Sequence, residues 1–449
     1  MATISNPELL QLLRSEVIPA IGCTEPIAVA LCTARAKELL GAEPDKITVY
    51  LSKNVYKNAL AVGIPNTGMT GLPIAIALGA TVGKSEYMLE VLRDATPEAV
   101  AYAKQYMLRV PATIKVDYDA PSLLYIHVEV ANGNQTAQAT IIDEHTNFFP
   151  SPISNSEASN SPKGVQYPIG YTPSNSEASD SSALSLRRVY DFAMEVDTHE
   201  LTFLLEGAQM NTTAAETSFA EQYGHGLGRL LRPNLQRSDL TATGEADLTA
   251  QRLFGDTLFT KIISYTCGAC DARMSGAMVQ VMSNSGSGNQ GISCSIPVYL
   301  YAKENNCSEE QTLRALALSN LTVIYIKQSL GRLSALCGCV VAATGSAAGI
   351  TYLMGGNYEE ITYAIKNMIA NISGMICDGA KPGCALKVTS GVATAIFSAY
   401  LAMQHSYADS TEGIVEDDID RTIRNLTRIG HDGMKVTDDL ILDIMTHKK

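Results

Sequence analysis

The chain has 449 residues, of which 18% are charged, and its formal net charge at pH 7 is −13. This length allows two or three domains with a sizeable core, and the acidic balance without a basic cluster argues against a nucleic-acid partner. The N-terminus lacks the basic and apolar regions of a secretory signal. We therefore expect a cytoplasmic protein whose ten cysteines are thiols or metal ligands.

Residues 1–149 predict an α+β domain. Helical patterns cover 7–40, opening at Asn6-Pro7-Glu8 and breaking at 21–26. The predicted strands are 47–52, 113–118, 123–131 and 135–142, with hairpin residues at Asn132-Gly133. This pattern predicts an antiparallel sheet.

The first polar motif of this domain is Gly22-Cys23-Thr24-Glu25-Pro26. Cys23 directly precedes a predicted helix, whose dipole favours the thiolate. Such a thiolate suits a base, a nucleophile or a metal ligand, although a capped helix start with a packed cysteine has the same pattern.

Two further motifs of the first domain carry candidate substrate ligands. Lys53 and Asn54 offer an ammonium and an amide, although exposed lysines usually contact only water. Asn66 and Thr67 lie in a glycine-containing turn before an apolar helical segment, where backbone N–H groups suit a carboxylate or a phosphate. Turns of this kind also occur without any ligand.

The composition changes after residue 149. Residues 150–185 are rich in Ser, Asn and Pro, and Ser-Asn-Ser-Glu-Ala-Ser occurs at both 154–159 and 174–179, which predicts a solvated insertion or linker. Residues 186–449 predict an all-α domain rich in Gly and Ala. No charged residue occurs between Arg332 and Glu359, but the small residues of this stretch favour a buried helix over a membrane span.

The loop at residues 284–291, Asn-Ser-Gly-Ser-Gly-Asn-Gln-Gly, resembles the asparagine loop of pyridoxal-phosphate dehydratases. Lys261 is a conceivable Schiff-base partner. However, the surrounding pattern lacks the alternating strands and helices of that fold. We therefore expect the loop, including Ser287 and Asn289, to line a polar pocket without this cofactor.

Three cysteines of the second half form the most informative pattern: Cys337, Cys377 and Cys384. Cys377 and Cys384 flank a loop rich in glycine, proline and charge, which can turn both sulfurs toward one centre. Three thiolates without an obvious fourth suit an iron–sulfur cluster with one open iron. From spacing alone buried thiols remain an equal alternative and zinc a weaker one. The nearby Cys267-x-x-Cys270 pair we expect to be structural.

Taken together, six motifs resemble the L-cysteine desulfidase family, which is related to the alpha domain of iron–sulfur L-serine dehydratases. They are Gly22-Cys-Thr-Glu-Pro, Lys53-Asn-Val-Tyr-Lys-Asn, Pro65-Asn-Thr-Gly, Asp271-Ala-Arg-Met, Ser334-Ala-Leu-Cys and Cys377-Asp-Gly-Ala-Lys-Pro-Gly-Cys. The resemblance covers nearly the whole chain except 150–185.

The resemblance implies a [4Fe–4S] cluster on Cys337, Cys377 and Cys384, with Cys339 as an alternative to the first ligand. It also implies that Cys23 is the catalytic thiol, as base for the α-proton of L-cysteine. Sulfide would leave on the open iron, and hydrolysis of the remaining 2-aminoacrylate would give pyruvate and ammonia. Asn66, Thr67 and the Ser287 to Asn289 loop are the expected carboxylate donors, with Lys53 and Asn54 behind them.

Two alternatives remain open from the sequence. The first is an iron–sulfur L-serine dehydratase, although the terminal Met-Thr-His-Lys-Lys lacks the cysteine tail of many such enzymes. The second is a non-catalytic iron–sulfur redox sensor. For the desulfidase and for both alternatives we expect a homodimer without a membrane partner.

Overall fold

The computed structural model describes residues 4–149, 184–232, 253–331 and 333–448. The chain begins with helix α1 (Asn6–Glu16), strand β1 (Pro19–Ile21) and helix α2 (Thr24–Leu40). Helix α1 starts where the Glu8 carboxylate accepts a hydrogen bond from the Ser5 backbone N–H at 2.8 Å. The predicted interruption between two helices is confirmed, and β1 occupies part of it.

The first region continues with strands interspersed with α-helices up to α5, and it ends with three strands. In chain order they are β2 (Lys46–Ser52), α3 (Lys53–Ala59), β3 (Gly63–Ile64), β4 (Met69–Thr70), α4 (Leu72–Thr81), α5 (Pro97–Arg109), β5 (Thr113–Asp117), β6 (Tyr125–Asn132) and β7 (Gln135–Ile142). A four-stranded sheet has the order β5-β2-β6-β7.

The sheet confirms the predicted α+β class with one correction. Strands β2, β6 and β7 are antiparallel neighbours, and Val128 of β6 lies between Val49 of β2 and Ala139 of β7. Strand β5, however, pairs with β2 in parallel, with Ile114 opposite Val49. The helices between β2 and β5 return the chain to the other end of the sheet, which a parallel pair requires.

Helix α2 is the central helix of this region. It packs on β6, β7 and α4, and Ile27 and Leu31 are at most 1% exposed. Glycine at position 79 permits the approach of α4, because a Cβ there would lie 2.4 Å from the Ala30 carbonyl oxygen. Close contact on both sides therefore fixes the position of the N-terminus of α2.

The second region is helical except for one short strand. Its described elements are α6 (Leu186–Glu195), α7 (Thr202–Ala220), α8 (Leu227–Leu231), α9 (Leu258–Met274), β8 (Gln280–Met282), α10 (Gly288–Glu304), α11 (Glu309–Leu330), α12 (Gly338–Leu353), α13 (Tyr358–Ile372), α14 (Cys384–Met403), α15 (Ile419–Arg428) and α16 (Lys435–His447). Strand β8 is an exception to the predicted all-α content and pairs with β1, Val281 lying opposite Ala20.

The small residues predicted to allow close helix contacts have this function in α12. A Cβ on Gly345 would lie 2.4 Å from the Ser319 carbonyl oxygen of α11. Helix α14 alone among the described helices is long and apolar enough to cross a bilayer. Its Val388 and Ala395 are fully buried in the helical core, whereas Phe397 is 56% exposed. The predicted absence of a membrane partner, the cytoplasmic location and the homodimer stay predictions.

The predicted boundaries at 149 and 185 also stay predictions, and residues 150–183 of the predicted insertion lie outside the described residues. The two regions are joined by a second link besides β1–β8. Helix α16 packs on α3, where Asp438 accepts hydrogen bonds from Lys57 and Asn54 and Asp439 pairs with Lys53. A buried ion pair therefore ties the C-terminal helix to the first region.

Asp438→Asn tests the strength of this link. The Lys57 side chain is 2% exposed and that of Asp438 18%, so the substitution leaves a buried ammonium without its carboxylate. We expect the free energy of unfolding to fall by about 3 kcal/mol in urea denaturation. Asp439→Asn is the matched control: the side chains of Lys53 and Asp439 are 33% and 57% exposed, and the expected loss is below about 1 kcal/mol. Equal losses would contradict the assignment.

Candidate active site

Cys23 is the cap residue of helix α2 and is 3% exposed. The preceding Gly22 has φ of 73°, and a Cβ there would lie 2.8 Å from Cγ of Pro65. Two of the sequence motifs therefore meet at this turn, and only glycine fits between them. The Cys23 side chain makes no capping hydrogen bond to the helix, so its sulfur is available for another partner.

That partner is the carboxylate of Glu25. The Cys23 thiol donates to Oε2 of Glu25 at 3.2 Å, and the Asn58 amide donates to Oε1 at 3.0 Å. Glu25 is 8% exposed, so these hydrogen bonds replace the water that it loses on burial. Cys23, Glu25 and Asn58 form a buried polar unit between α2 and α3.

Opposite pKa shifts define the charge of this unit. Burial raises the pKa of the Cys23 thiol well above its ordinary value, and the Glu25 carboxylate adds to the increase. Burial also acts to raise the pKa of Glu25, but His145 and the hydrogen bond from Cys23 outweigh it, so the Glu25 pKa is lowered. The unit therefore combines a neutral thiol with a carboxylate anion.

A buried arginine lies close enough to act on both groups. Arg273 of α9 is 1% exposed, and its charge lowers the pKa of Cys23 and of Glu25. Its Nη1 donates to the side-chain oxygen of Asn289 at 3.0 Å. Asn289 is in the first turn of α10, whose cap residue is Ser287. The structure thus brings the predicted residues Ser287 and Asn289 toward Cys23 through Arg273.

A short backbone pairing positions Cys337 and Cys377. The Cys337 N–H donates to the Met375 carbonyl at 2.9 Å and the Cys377 N–H to the Ala335 carbonyl at 2.7 Å, on either side of an antiparallel bridge between residues 336 and 376. Cys337 and Cys377 are therefore diagonal neighbours whose side chains lie on the same face of this ribbon.

Cys384 begins helix α14, and Cys337 caps helix α12. The loop before Cys384 is held by Asp378, which pairs with Lys381 at 2.5 Å and also with Lys387. The charge of a Cys337 thiolate raises the pKa of both Cys377 and Cys384, in addition to the effect of burial. The three predicted sulfurs are thus close enough to interact electrostatically.

Cys337 differs from Cys339 in the direction of its pKa shift. The Cys339 thiol donates a hydrogen bond to Cys337, which lowers the pKa of Cys337 and raises that of Cys339. A thiolate is the form that binds a metal. The lowered pKa of Cys337, together with the ribbon face that it shares with Cys377, therefore favours Cys337 as the ligand. Three thiols of this kind suit the soft donor set of an iron–sulfur cluster. No three His, Cys, Asp or Glu side chains converge on the position of a single metal ion within the described ranges.

Among the described residues, no hydrogen bond links the predicted substrate residues of the first region to Cys23. Thr67 donates to the Ile64 carbonyl at 2.8 Å within its own turn, and the Asn66 side chain is directed at the Ala95 carbonyl at 3.4 Å. Lys53 and Asn54 pair with Asp439 and Asp438 and line a cavity of about 970 Å³ that contains none of the named cysteines.

Sequence reasoning missed Glu25, Asn58 and Arg273 as members of the site. All three lie inside the quoted motifs, so their positions were visible, but their burial was not. The detectable signal for Arg273 was an arginine near the end of helix α9, Leu258–Met274, after a stretch of mostly small and apolar residues. A charge in such a run requires a buried partner or a ligand.

Comparison with known proteins confirms the resemblance to serine dehydratases. A family model described as serine dehydratase alpha chain matches residues 86–443, which include Arg273 and the three cysteines but not Cys23. UPF0597 proteins of Phocaeicola vulgatus and Bacteroides fragilis are 54% and 53% identical, over 99% and 100% of both aligned chains. A UPF0597 protein of Oleidesulfovibrio alaskensis is 42% identical over 98% of both chains.

Glu25→Gln tests the charge of the thiol–carboxylate unit. The substitution removes the negative charge beside the Cys23 thiol, so we expect the Cys23 pKa to fall by about one unit. The readout is the pH midpoint of iodoacetamide alkylation at Cys23, resolved from the other cysteines by peptide mass spectrometry. Glu360→Gln is the matched control, because Glu360 is also 8% exposed but caps helix α13 at Asn357. An unchanged midpoint in Glu25→Gln would refute the coupling.

Proposed function

The chain belongs to the serine dehydratase alpha-chain family, and from this premise we propose that it is an L-cysteine desulfidase. This enzyme would eliminate sulfide from L-cysteine and release pyruvate and ammonia. The family supports a lyase reaction. The observation that carries the finer proposal is the buried thiol of Cys23, held 3.2 Å from the Glu25 carboxylate, within the same apolar cluster as Cys337, Cys377 and Cys384.

Cys337, Cys377 and Cys384 would hold the [4Fe–4S] cluster. When bound, the cluster would supply an open Lewis-acidic iron with an affinity for soft sulfur. The protein's own contribution is positional: the loop with Asp378 fixes Cys384 relative to Cys377. Sulfur as the leaving atom suits a soft metal better than oxygen does, which favours L-cysteine over L-serine.

Cys23 is the proposed base for the Cα proton. Only its thiolate can accept that proton, so the raised pKa of the resting thiol must fall when substrate binds. Arg273 acts in this direction, because its positive charge lowers the Cys23 pKa. The electron pair of the Cα–H bond then forms the Cα=Cβ double bond, and the pair of the Cβ–S bond leaves with sulfur as sulfide. The resulting 2-aminoacrylate tautomerises to an imine, which water hydrolyses.

L-serine dehydratase is the second candidate, favoured by the description of the matching family model. A hydroxyl must be protonated as it leaves, and the proton that the Cys23 thiolate takes from Cα would then be passed to that oxygen, which leaves as water and restores the thiolate. The same side chains thus support either substrate, and the leaving atom decides between them.

The decisive experiment uses anaerobically purified protein. We expect about four irons per chain, with equal release of sulfide and pyruvate from L-cysteine and slower pyruvate release from L-serine. Preferred turnover of L-serine would replace the desulfidase proposal by the dehydratase. An iron-loaded protein that turns over neither amino acid would refute both and leave the redox sensor.

The same assay tests Cys23. Cys23→Ala removes the proposed base, so we expect kcat to fall by about 10²- to 10⁴-fold with iron content unchanged. The matched control is Cys32→Ala on the same helix, since Cys32 is also buried but donates to the Ala139 carbonyl oxygen at 3.3 Å in the core. Full turnover by Cys23→Ala would exclude the base role.

Cys337→Ala and Cys339→Ala distinguish the two candidates for the first cluster ligand. We expect Cys337→Ala to lose most of the iron and the visible absorption, because the thiolate-forming member of the pair is removed. Cys339→Ala is expected to keep both. Iron analysis after anaerobic reconstitution is the measurement, and the reverse pattern would move the assignment to Cys339.

A further inference from the structure

Arg273 has two buried donors for which the structure provides no acceptor. Its Nη1 is occupied by Asn289, but Nε and Nη2 have no hydrogen-bond partner among the residues that the structure describes. The side chain is 1% exposed, so water does not replace the missing acceptors freely. Unsatisfied buried donors of a charged group are strongly unfavourable, which indicates that a ligand completes them.

The two free atoms define the geometry of that ligand. Nε and Nη2 form one edge of the planar guanidinium, and their N–H groups point in the same direction. Two parallel donors on one edge fit the two oxygens of a carboxylate. Asn289 holds the opposite part of the guanidinium, so the free edge is oriented before any ligand arrives.

Helix α10 adds a second attraction for an anion at the same place. Its cap residue Ser287 makes no side-chain capping bond, and the N–H groups of the first turn have no partner within the helix. Glycine at position 288 lets this turn approach Arg273, because a Cβ there would lie 2.3 Å from Nε. The guanidinium and the helix N-terminus are therefore directly adjacent.

An acceptor for a cation is present on Asn58, the residue that donates a hydrogen bond to Glu25. The Oδ1 atom of Asn58 is buried and has no hydrogen-bond partner in the described part of the chain, while the amide nitrogen of Asn58 is engaged with Glu25. Glu25 is within electrostatic range of Arg273. Free donors on Arg273 and a free acceptor on Asn58 thus both occur near the Cys23–Glu25 pair, and together they match the carboxylate and ammonium of an α-amino acid.

We propose that Arg273 binds the α-carboxylate of the substrate through Nε and Nη2, assisted by the first turn of α10. The proposal rests on the proposed function for the identity of that substrate. It replaces Asn66 and Thr67 as the carboxylate ligands and keeps Ser287 and Asn289 as support. With its carboxylate on Arg273, the amino acid has its Cα one bond away from the anchored group, on the side of Cys23.

Arg273→Met removes the donors and retains an unbranched side chain. With iron-loaded enzyme we expect the KM for L-cysteine to rise about 10- to 100-fold. L-Cysteinamide has no carboxylate, so its kcat/KM is expected to change by less than about threefold between wild type and variant. An unchanged KM for L-cysteine, or equal losses on the acid and the amide, would overturn the proposal.

A binding measurement separates this proposal from the proposed function. The unreactive probes are L-alanine and L-alaninamide, and their affinities are measured by calorimetry on wild type and Arg273→Met. We expect wild type to prefer the acid and the variant to lose that preference. If wild type shows this preference without turning over L-cysteine, the proposed function fails and the carboxylate site stands. If wild type turns over L-cysteine but does not prefer L-alanine to L-alaninamide, the proposed function stands and the carboxylate site is refuted.

Two further variants control for structural damage. Gly288→Ala keeps the charge of Arg273 but displaces its guanidinium, so we expect this variant to have a higher KM for L-cysteine as well. This measurement tests the proposal independently of how well Arg273→Met folds. Arg314→Met removes a part-buried arginine that donates to the Met194 carbonyl at 2.6 Å, away from the site. It is expected to lower the melting temperature and leave KM unchanged, and a KM rise there equal to that of Arg273→Met would refute a specific role.

Discussion

The constraint on which the site depends is the burial of helix N-termini without side-chain caps. Cys23, Ser287 and Cys337 are the cap residues of α2, α10 and α12, and Cys384 is the first residue of α14; none of the four helices has a side-chain capping bond. Some other helices are capped by a side chain, as at Thr96, and others, such as α4 after Gly71, are not. Each of these ends carries the partial positive charge of a helix N-terminus, although the first N–H groups of α14 already donate to the carbonyls of Lys381, Pro382 and Gly383. The site is therefore built to receive anions.

Burial opposes the formation of those anions. It raises the pKa of Cys23, Cys377 and Cys384, because a thiolate in an apolar environment loses its hydration. Only Cys337 is shifted toward the thiolate, and it requires the Cys339 thiol as a donor. Helix dipoles alone do not outweigh burial here. Positively charged partners must complete the balance, either a metal at the three cysteines or the guanidinium of Arg273 near Cys23.

The elements of the fold were largely predictable from local patterns. The strands at 47–52 and 135–142 follow from β-branched and apolar alternation, and the hairpin between β6 and β7 from Asn132-Gly133. The parallel pairing of β5 was not predictable, because register and direction depend on packing across the intervening helices. Cys23 was singled out because a cysteine at a predicted helix start stands out locally, and Cys337 because it accompanies Cys377 and Cys384 in the second half of the chain. The roles of both cysteines stay predictions.

The partners of charged side chains required the tertiary structure. Lys53 and Asn54 were predicted from the sequence as substrate ligands, and in the structure they contact Asp439 and Asp438, close to the other end of the chain. Their role toward a substrate stays a prediction.

The role of Arg273 could not be recognised from the sequence either. Its lack of acceptors is a property of the tertiary structure, in which Gly288 lets α10 pack against it. In both cases what matters is which hydrogen bonds are already made. A charged group with a protein partner contributes to the fold, whereas an equally buried one without a partner is free for a ligand. That distinction separates Lys57, paired with Asp438, from Arg273.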